Sequence, residues 1–500
     1  MSAKQVESTG VTLKNEHFGA LFNPRGVIVA GASTHPGKFG FVALHNILAC
    51  GYRGRVFATN LEGTPVLGID TVAAIDDLPA GEADLVFVCT PAKTNIELLR
   101  ACAAKGVKAA FIASAGYGEA GEDGRAAQDE LVRVATELDV LVAGPNGQGV
   151  ISTPSSLCAQ IVAPYPPPGR IGIASQSGNF VSSFMNYARL YGVGVSRAVS
   201  AGNAAAVGVA DYLEFYADDP ETAVGLVYVE GMTDGRSFAE RLRSVSERMP
   251  VVVVKGGASN VGARAAASHT GSLATDDRVF DGAARQAGLV RTATIEEAYE
   301  AAATFATQPL PKGPRVCIVS TAGGWGVVTA DAVSRTRGLE LLALPPDLRD
   351  ALDRELPPRW SRNNPVDMAG GETRDTIPTV LEMVASHADV DAVVFLGMGI
   401  QANQGRMEKE GPFYPDHGLE RIVDYHVRQD RRFTTAAAEL SERLGKPILT
   451  ATELAIVDPS NPAVAGCRDA GKLCYASANR AVTALSHLWR YAQWRQRRST

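Results

Sequence analysis

Gly26-Val27-Ile28-Val29-Ala30-Gly31 runs straight into Ala32-Ser33-Thr34-His35-Pro36-Gly37-Lys38-Phe39-Gly40, a short apolar run entering a glycine-punctuated loop. Val42, Leu44, Ile47 and Leu48 then recur at helical spacing, so strand, loop and helix stand in the order a phosphate site requires. Apolar runs return at 55–58, 84–89, 109–114 and 140–143, separated by helix-length segments, and predict a Rossmann-like parallel sheet. The glycines at 31, 37 and 40 do not spell G-x-G-x-x-G, and no acidic residue stands convincingly after the second run to hold a ribose. NAD is therefore the weaker ligand, and an NAD(P)-dependent oxidoreductase would rest on fold alone. Another phosphate-bearing ligand fits better, with Lys38 able to meet the phosphate; the competing reading of Lys38 is an exposed first-turn lysine.

The same opening returns twice. Gly144-Pro145-Asn146-Gly147-Gln148-Gly149 closes the first block, the prolines of 164–169 make a joint, and Arg170-Ile171-Gly172-Ile173-Ala174-Ser175-Gln176-Ser177-Gly178-Asn179 opens the second. Beyond its strand-like runs at 223–230 and 250–255 lies Ala267-Ser268-His269-Thr270-Gly271-Ser272-Leu273, a lone histidine among small residues at the head of a helical stretch. Imidazole can accept a phosphoryl group and pass it on, and helix starts near Ser177 and near His269 can aim backbone N–H groups at one phosphate. Glu230 ends the run Val227-Tyr228-Val229 on the same sheet edge, where a carboxylate would fix the imidazole tautomer. The plainer alternatives are a helix-capping His269 and a surface ion pair between Glu230 and Arg236.

A third block follows the proline-rich 308–314 with Arg315-Val316-Cys317-Ile318-Val319-Ser320 and the loop Thr321-Ala322-Gly323-Gly324-Trp325-Gly326. Residues 401–434 are polar, with Gly405, Gly411, Pro412 and Pro415, and predict an insertion before a helix over 436–444. The expected domains are 20–150, 165–308 and 313–490. Their opening loops share no sequence, which indicates common architecture and not a repeat array.

Composition agrees. Five hundred residues at 46% hydrophobic and 20% charged suit about three domains of an α/β protein. A net charge of −6 argues against a nucleic-acid partner, and the arginines at 490, 495, 497 and 498 read as a solvated or partner-facing tail. Seven scattered cysteines without a CxxC pair indicate neither a disulfide framework nor a metal site. The polar first 18 residues lack a signal core and no run is long enough to span a bilayer, so a cytoplasmic protein without a membrane role is expected.

Taken together and in this order, Phe22-Asn23-Pro24, Gly31-Ala32-Ser33, Gly144-Pro145-Asn146, Ser175-Gln176-Ser177-Gly178, Ser200-Ala201-Gly202-Asn203, Tyr228-Val229-Glu230-Gly231, Ser268-His269-Thr270-Gly271-Ser272-Leu273, Ala322-Gly323-Gly324 and Asn364-Pro365-Val366-Asp367 carry a resemblance. From about residue 20 to about residue 487 the chain resembles the α subunit of ADP-forming acetyl-CoA synthetases, relatives of succinyl-CoA synthetase in the NDP-forming acyl-CoA synthetase superfamily. The resemblance implies a Rossmann-like CoA-binding domain followed by two flavodoxin-like domains. It also implies that His269 is the phosphorylated histidine and Glu230 its orienting carboxylate. Gly31, Ser33, Lys38 and Phe39 would bind coenzyme A, Ser177, Gly178, Thr270 and Gly271 would cradle phosphate, and Asn146, Gln176 and Asn203 would lie near the acyl group.

A complete synthetase needs an ATP-grasp module of roughly 200 residues, for which the three blocks leave no room. The resemblance thus implies a separate ATP-grasp β subunit that supplies ATP, ADP and Mg2+, an oligomeric assembly, and a carboxylic acid and its acyl-CoA as substrate and product. The alternative, a non-catalytic acyl-CoA-binding or regulatory protein on the same scaffold, would need neither His269 nor Glu230. Three places depart from the family pattern: Gly147 replaces a cysteine, Trp325 interrupts an Ala-Gly-Gly-Pro-Gly loop, and Asn60-Leu61-Glu62 replaces an Asn-Pro pair. The expected consequence of Gly147 is a reshaped acyl pocket.

Overall fold

Short Val-, Ile- and Ala-rich runs that are buried along their whole length become parallel strands covered by helices on both faces. The computed structural model, which describes residues 15–162, 164–232, 234–259, 261, 262, 264, 276–368 and 375–499, contains three such sheets in chain order. The first two lie in one compact unit, residues up to 188 with 194–295, and the third in another, 189–193 with residues from 296 onward.

The first sheet is wholly parallel: β1 (Gly26–Ala30), β2 (Arg55–Thr59), β3 (Thr71–Val72), β4 (Leu85–Val88), β5 (Ala109–Ile112) and β6 (Leu141–Ala143) stand in the order β3-β2-β1-β4-β5-β6. β1, at the centre, is buried at every position. The helix Phe39–Ala49 returns so closely over the β1 loop that a Cβ at Gly40 would overlap the Gly31 carbonyl, which is why only glycine suits position 40. The helix begins at Phe39, two residues later than the glycine at 37 suggests.

The second sheet holds β7 (Gly149–Ser152), β8 (Leu157–Gln160), β9 (Pro168–Ser175), β10 (Val195–Ser200), β11 (Val224–Val229), β12 (Val251–Lys255) and β13 (Val290–Thr292), in the order β13-β12-β11-β9-β10-β7-β8. The hairpin β7–β8 falls between two of the expected domains. It runs antiparallel to β10 and so extends the second sheet. The helix Asn15–Phe22, just ahead of β1, is also bound to this half: Phe18 and Phe22 stack on Phe215 with ring centroids 5.0 and 5.5 Å apart. Asn46 Nδ2 donates to the Gln160 carbonyl (2.7 Å), tying the helix Phe39–Ala49 to β8.

Arg197 of β10 lies where these segments meet. Its Nε donates to Asp219 Oδ2 (3.1 Å), and its NH1 donates to Asn23 Oδ1 (2.9 Å) and to Ser152 Oγ. Arg197 and Asp219 side chains are only 3% and 5% exposed, so each charge depends on the other for compensation.

The third sheet, β14 (Arg315–Ser320), β15 (Glu340–Leu341), β16 (Val366–Asp367), β17 (Ala392–Leu396), β18 (Ile448–Ala451) and β19 (Cys474–Tyr475), is ordered β15-β14-β17-β18-β19, with β16 paired to β14. The segment 401–434, expected as an insertion, is helical, over Ile400–Glu410 and Leu419–Leu444, so the helix expected over 436–444 begins at Leu419. Gly405 is an interface residue, with a Cβ position 3.5 Å from the Val423 Cα, and Gly411, Pro412 and Pro415 make the turn between the helices. The polar composition belongs to an amphipathic helix that buries Val423, Gln429, Asp430 and Phe433. Among the described residues no helix is long and apolar enough to cross a membrane.

Removing Asp219 leaves a buried guanidinium uncompensated. Asp219→Ala is expected to destabilise the unit containing it by about 3–5 kcal/mol in chemical denaturation. Glu240→Ala, which cuts the exposed Arg236–Glu240 pair, is expected to leave the same transition essentially unmoved.

Candidate active site

All strands of the first sheet end on one edge, and the loop after β1 leaves that edge at Gly31, whose φ of 82° suits glycine. The loop satisfies its own backbone. Ser33 Oγ accepts from His35 N–H (3.1 Å), His35 Nδ1 accepts from Gly37 N–H (3.0 Å), and Asn60 Nδ2 donates to the Ala32 carbonyl (3.0 Å). The first N–H groups of the helix Phe39–Ala49 have no side-chain cap. Lys38 is exposed beside them and Phe39 is 54% exposed. An uncapped helix start with an ammonium group and an apolar ring beside it is matched by a ligand with phosphate groups and an organic body, and coenzyme A fits that description.

On the second sheet, β11, β9 and β10 are neighbours, and their carboxyl ends carry the next group of residues. Ser175 Oγ accepts from the Ser177 N–H (3.1 Å) and donates to the Ser177 carbonyl (2.6 Å), fixing the turn into the helix Gly178–Tyr191. Gln176 is clamped to the end of β11. Its Oε1 accepts from the N–H groups of Glu230 (2.6 Å) and Gly231 (3.1 Å), and its Nε2 donates to the Gly231 carbonyl (3.0 Å). Burial, together with the neighbouring Glu230 carboxylate and a hydrogen bond to it, pushes the Tyr228 phenol well up, so Tyr228 stays a neutral partner of Glu230. Arg236 pairs with Glu240, four residues along its own helix, at 3.1 Å. His269, Thr270 and Gly271 lie outside the described residues.

Between the two sheets sits a cluster of amides. Asn146, in a turn that follows the cis Gly144–Pro145 bond, has a left-handed φ of 59° and is exposed. Its Nδ2 donates to Asn203 Oδ1 (3.3 Å), while Asn203 Nδ2 donates to Glu119 Oε2 (2.5 Å) and Gln128 Oε1 (2.9 Å). Gln148 reaches from the same turn to Asn179 Oδ1 (3.3 Å) and lies so close over Gly178 that a side chain there would strike it. The structure thus brings together Asn146 with Asn203, Gln176 with Glu230, and Ser177 with Gly178. Gly31, Ser33, Lys38 and Phe39 form their own group on the first sheet.

Known families match the chain in three stretches: a CoA binding domain over residues 25–153, a succinyl-CoA ligase like flavodoxin domain over 168–305 and a ligase-CoA domain over 316–398. The chain is 32% identical to the alpha subunit of ADP-forming acetate–CoA ligase I of Pyrococcus furiosus, over 95% of this chain and 98% of that protein. The chain belongs to the ADP-forming acetate–CoA ligase alpha-subunit family. It is also 35% identical to ADP-forming acetate–CoA ligase I of Archaeoglobus fulgidus, over 75% of this chain and 54% of that longer protein. Among solved structures, the dinucleotide forming acetyl-coenzyme A synthetase 1 of Ca. Korarchaeum cryptofilum, in complex with phosphate and ADP, superposes with a TM-score of 0.81 at 28% identity, covering 96% of this chain and 97% of that one.

Against this family background Gly147 acquires a physical account. A Cβ at 147 would lie 2.5 Å from the Ser200 carbonyl and 2.6 Å from the Phe111 Cζ, and the fully buried Phe111 ring stacks on Phe87 at 5.2 Å. Position 147 faces this packed interior, where the Phe111 ring and the Ser200 carbonyl occupy the space a side chain would need. Sequence reasoning missed Phe111, Gln148, Glu119 and Gln128. The available signal for Glu119 was its place in a glycine-rich loop, Gly116-Tyr117-Gly118-Glu119, beyond a buried strand.

Restoring a side chain at 147 should therefore overfill this interior. Gly147→Cys is expected to cost about 1–3 kcal/mol of stability. Phe111→Val, destabilising alone, should recover part of that loss in the double variant. Strict additivity across the four proteins in denaturant titrations would show that the ring does not contest the space.

Proposed function

We propose that this chain is the subunit of an NDP-forming acyl-CoA synthetase that joins a carboxylic acid to coenzyme A, with ATP used on a separate ATP-grasp subunit. The observation that supports this most directly is that Gln176, Ser177, Gly178, Glu230 and Asn203 all follow the carboxyl ends of three adjacent strands of the second sheet, with Asn146, which follows β6 of the first sheet, hydrogen-bonded to Asn203. Membership of a family that includes chains named alpha subunits supports the division of labour.

In this reading His269 accepts a phosphoryl group from ATP held with Mg2+ by the partner. Glu230 accepts a hydrogen bond from one imidazole nitrogen, leaving the other to form the N–P bond. Ser177, Gly178, Thr270 and Gly271 hold the phosphoryl oxygens through N–H and O–H donors. Transfer to the carboxylate gives an acyl phosphate, whose carbonyl Asn146, Gln176 and Asn203 border. The thiol of coenzyme A, held at Gly31, Ser33, Lys38 and Phe39, attacks the acyl carbon, the C–O bond to phosphate breaks, and the departing phosphate takes up the thiol proton. No strong general base is required, because the transferred group is stabilised by positioned donors and helix ends.

The seven cysteines are free, as suits a reducing cytoplasm, which is the compartment we assign to the reaction. Acetate is the acid named in several relatives, 4-hydroxybutyrate in one from Nitrosopumilus maritimus and a trans-feruloyl group in another, so the relatives share the class of carboxylic acid and not its size.

Incubating the chain and its ATP-grasp partner with γ-labelled ATP is expected to give an acid-labile, base-stable label that maps to His269. His269→Ala should lose both the label and ATP-dependent acyl-CoA formation. A label retained in that variant would overturn the assignment.

A further inference from the structure

We propose that Glu119 is a positioning residue that fixes which way the Asn203 and Asn146 amides point. The inference rests on the reading that Asn146 borders the acyl group. It starts from an asymmetry in hydrogen-bonding capacity: a carboxylate only accepts, whereas a primary amide has one accepting and one donating end that are nearly identical in shape. Glu119 is exposed, and its Oε1 accepts from the N–H groups of Gly116 (2.6 Å) and Tyr117 (3.1 Å), which ties the carboxylate to the loop after β5. Partial burial on its own would raise the Glu119 carboxyl, but the hydrogen bonds from Asn203 and from the loop backbone more than reverse this and keep it below the ordinary glutamate value.

With its oxygens limited to accepting, Glu119 requires the donating end of Asn203. Gln128 Oε1 requires the same end, because it is itself fixed by the Gly118 N–H (3.2 Å). Both hydrogens of Asn203 Nδ2 are thereby used, and Oδ1 is left to accept from Asn146 Nδ2. Asn146 is exposed, and its own orientation is thus set: one hydrogen goes to Asn203, and the second hydrogen and Oδ1 remain on the side away from it. A developing negative charge on an acyl oxygen is stabilised by an N–H and opposed by a carbonyl oxygen, so the direction of this relay matters to the reaction.

Replacing the carboxylate by an amide removes the constraint. In Glu119→Gln, the side chain keeps its oxygen on the loop N–H groups and turns an NH2 toward Asn203, donor against donor. Flipping Asn203 relieves that clash but sets its oxygen against Gln128 Oε1 and turns its NH2 toward Asn146. Every arrangement that keeps the Gln side chain on Asn203 contains one mismatched pair or an inverted Asn146, and one that turns it into solvent gives up the restraint on Asn203.

The test compares wild type, Glu119→Gln, Glu119→Asp and Asn146→Ala, each assembled with the ATP-grasp partner and assayed with ATP, acetate and coenzyme A. The expected result for Glu119→Gln is a loss of about tenfold or more in kcat, with KM for coenzyme A and labelling of the chain from ATP unchanged. Glu119→Asp, which keeps an acceptor-only group, is expected to recover much of kcat. A wild-type kcat for Glu119→Gln alongside an impaired Asn146→Ala would overturn the role of Glu119 and leave the acyl-site reading standing. Wild-type behaviour of Asn146→Ala would overturn that reading and the proposal with it. Parallel losses of kcat and of labelling in Glu119→Gln would mean a merely structural residue and would also overturn it.

Discussion

The buried ion pair between Arg197 and Asp219 is the constraint on which the arrangement of the first two sheets depends. A guanidinium with 3% of its side chain exposed cannot be tolerated without a compensating carboxylate and acceptors for its remaining donors. Those acceptors come from the end of the first helix, Asn23, and from the hairpin strand β7, Ser152. Meeting the needs of one cation therefore fixes β10 relative to a segment that leads into the first sheet. Because β10 ends at Ser200, the same constraint places Asn203 beside the Gly144–Pro145–Asn146 turn, where Asn203 N–H donates to the Pro145 carbonyl at 2.9 Å.

In the proposed reaction the chemistry around that joint falls to neutral amides, hydroxyls and backbone N–H groups, with carboxylates used to orient them. Gln176 locks the Glu230 turn and Glu119 locks Asn203, so in both places an acceptor–donor match fixes a group that would otherwise rotate. Phosphoryl and acyl transfer gain most from such preorganised dipoles, since charge is redistributed over oxygens that the site can already face with donors. The segment carrying His269 begins after β12 and ends before the helix Asp277–Gln286, and both flanks are electrostatically tied. Lys255, the last residue of β12, lies 3.8 Å from Asp277, and Arg291 binds the same carboxylate at 2.6 Å.

Much of this was readable from the chain because the informative signals were local. A buried apolar run, a small-residue turn and a helical repeat occupy consecutive residues, so β1 with its loop, β9 with Ser175–Gly178, and β11 with Glu230 could all be placed by spacing. The hairpin at 149–160 was not placed, because a strand of four residues owes its existence to its partner, and β7 pairs with β10, beyond the whole of β9. Glu119 was missed for a related reason: Asn203, the residue that gives it meaning, is 84 positions away. The helices over 400–435 are not legible in the sequence because glycine and proline normally mark loops. Gly405 instead serves close approach of two helices, and the polar residues are the solvent side of an amphipathic pattern.

The three openings share no sequence, yet two of them share a physical device. Ser175 ends β9 and bridges the N–H and carbonyl of Ser177; Ser320 ends β14 and bridges the N–H (3.0 Å) and carbonyl (2.8 Å) of Ala322. Each serine is buried, and each fixes the turn from which a helix starts. A third helix, Ile400–Glu410 after β17, is treated differently. The buried Asp430 carboxylate accepts the Ala402 N–H at 2.6 Å, and burial raises its pKa against the opposing pull of the backbone hydrogen bonds. That helix start already holds an internal acid, so an external anion there would meet like charge and occupied donors. The helix Gly323–Arg335 has no cap from its N-cap residue Ala322, and the Asp367 carboxylate of β16 lies against its start, with Oδ2 2.6 Å from a Cβ position at Gly323. One architecture thus fixes its helix starts in two ways, by a buried serine at the strand end in two of them and by a buried carboxylate from a neighbouring helix in the third.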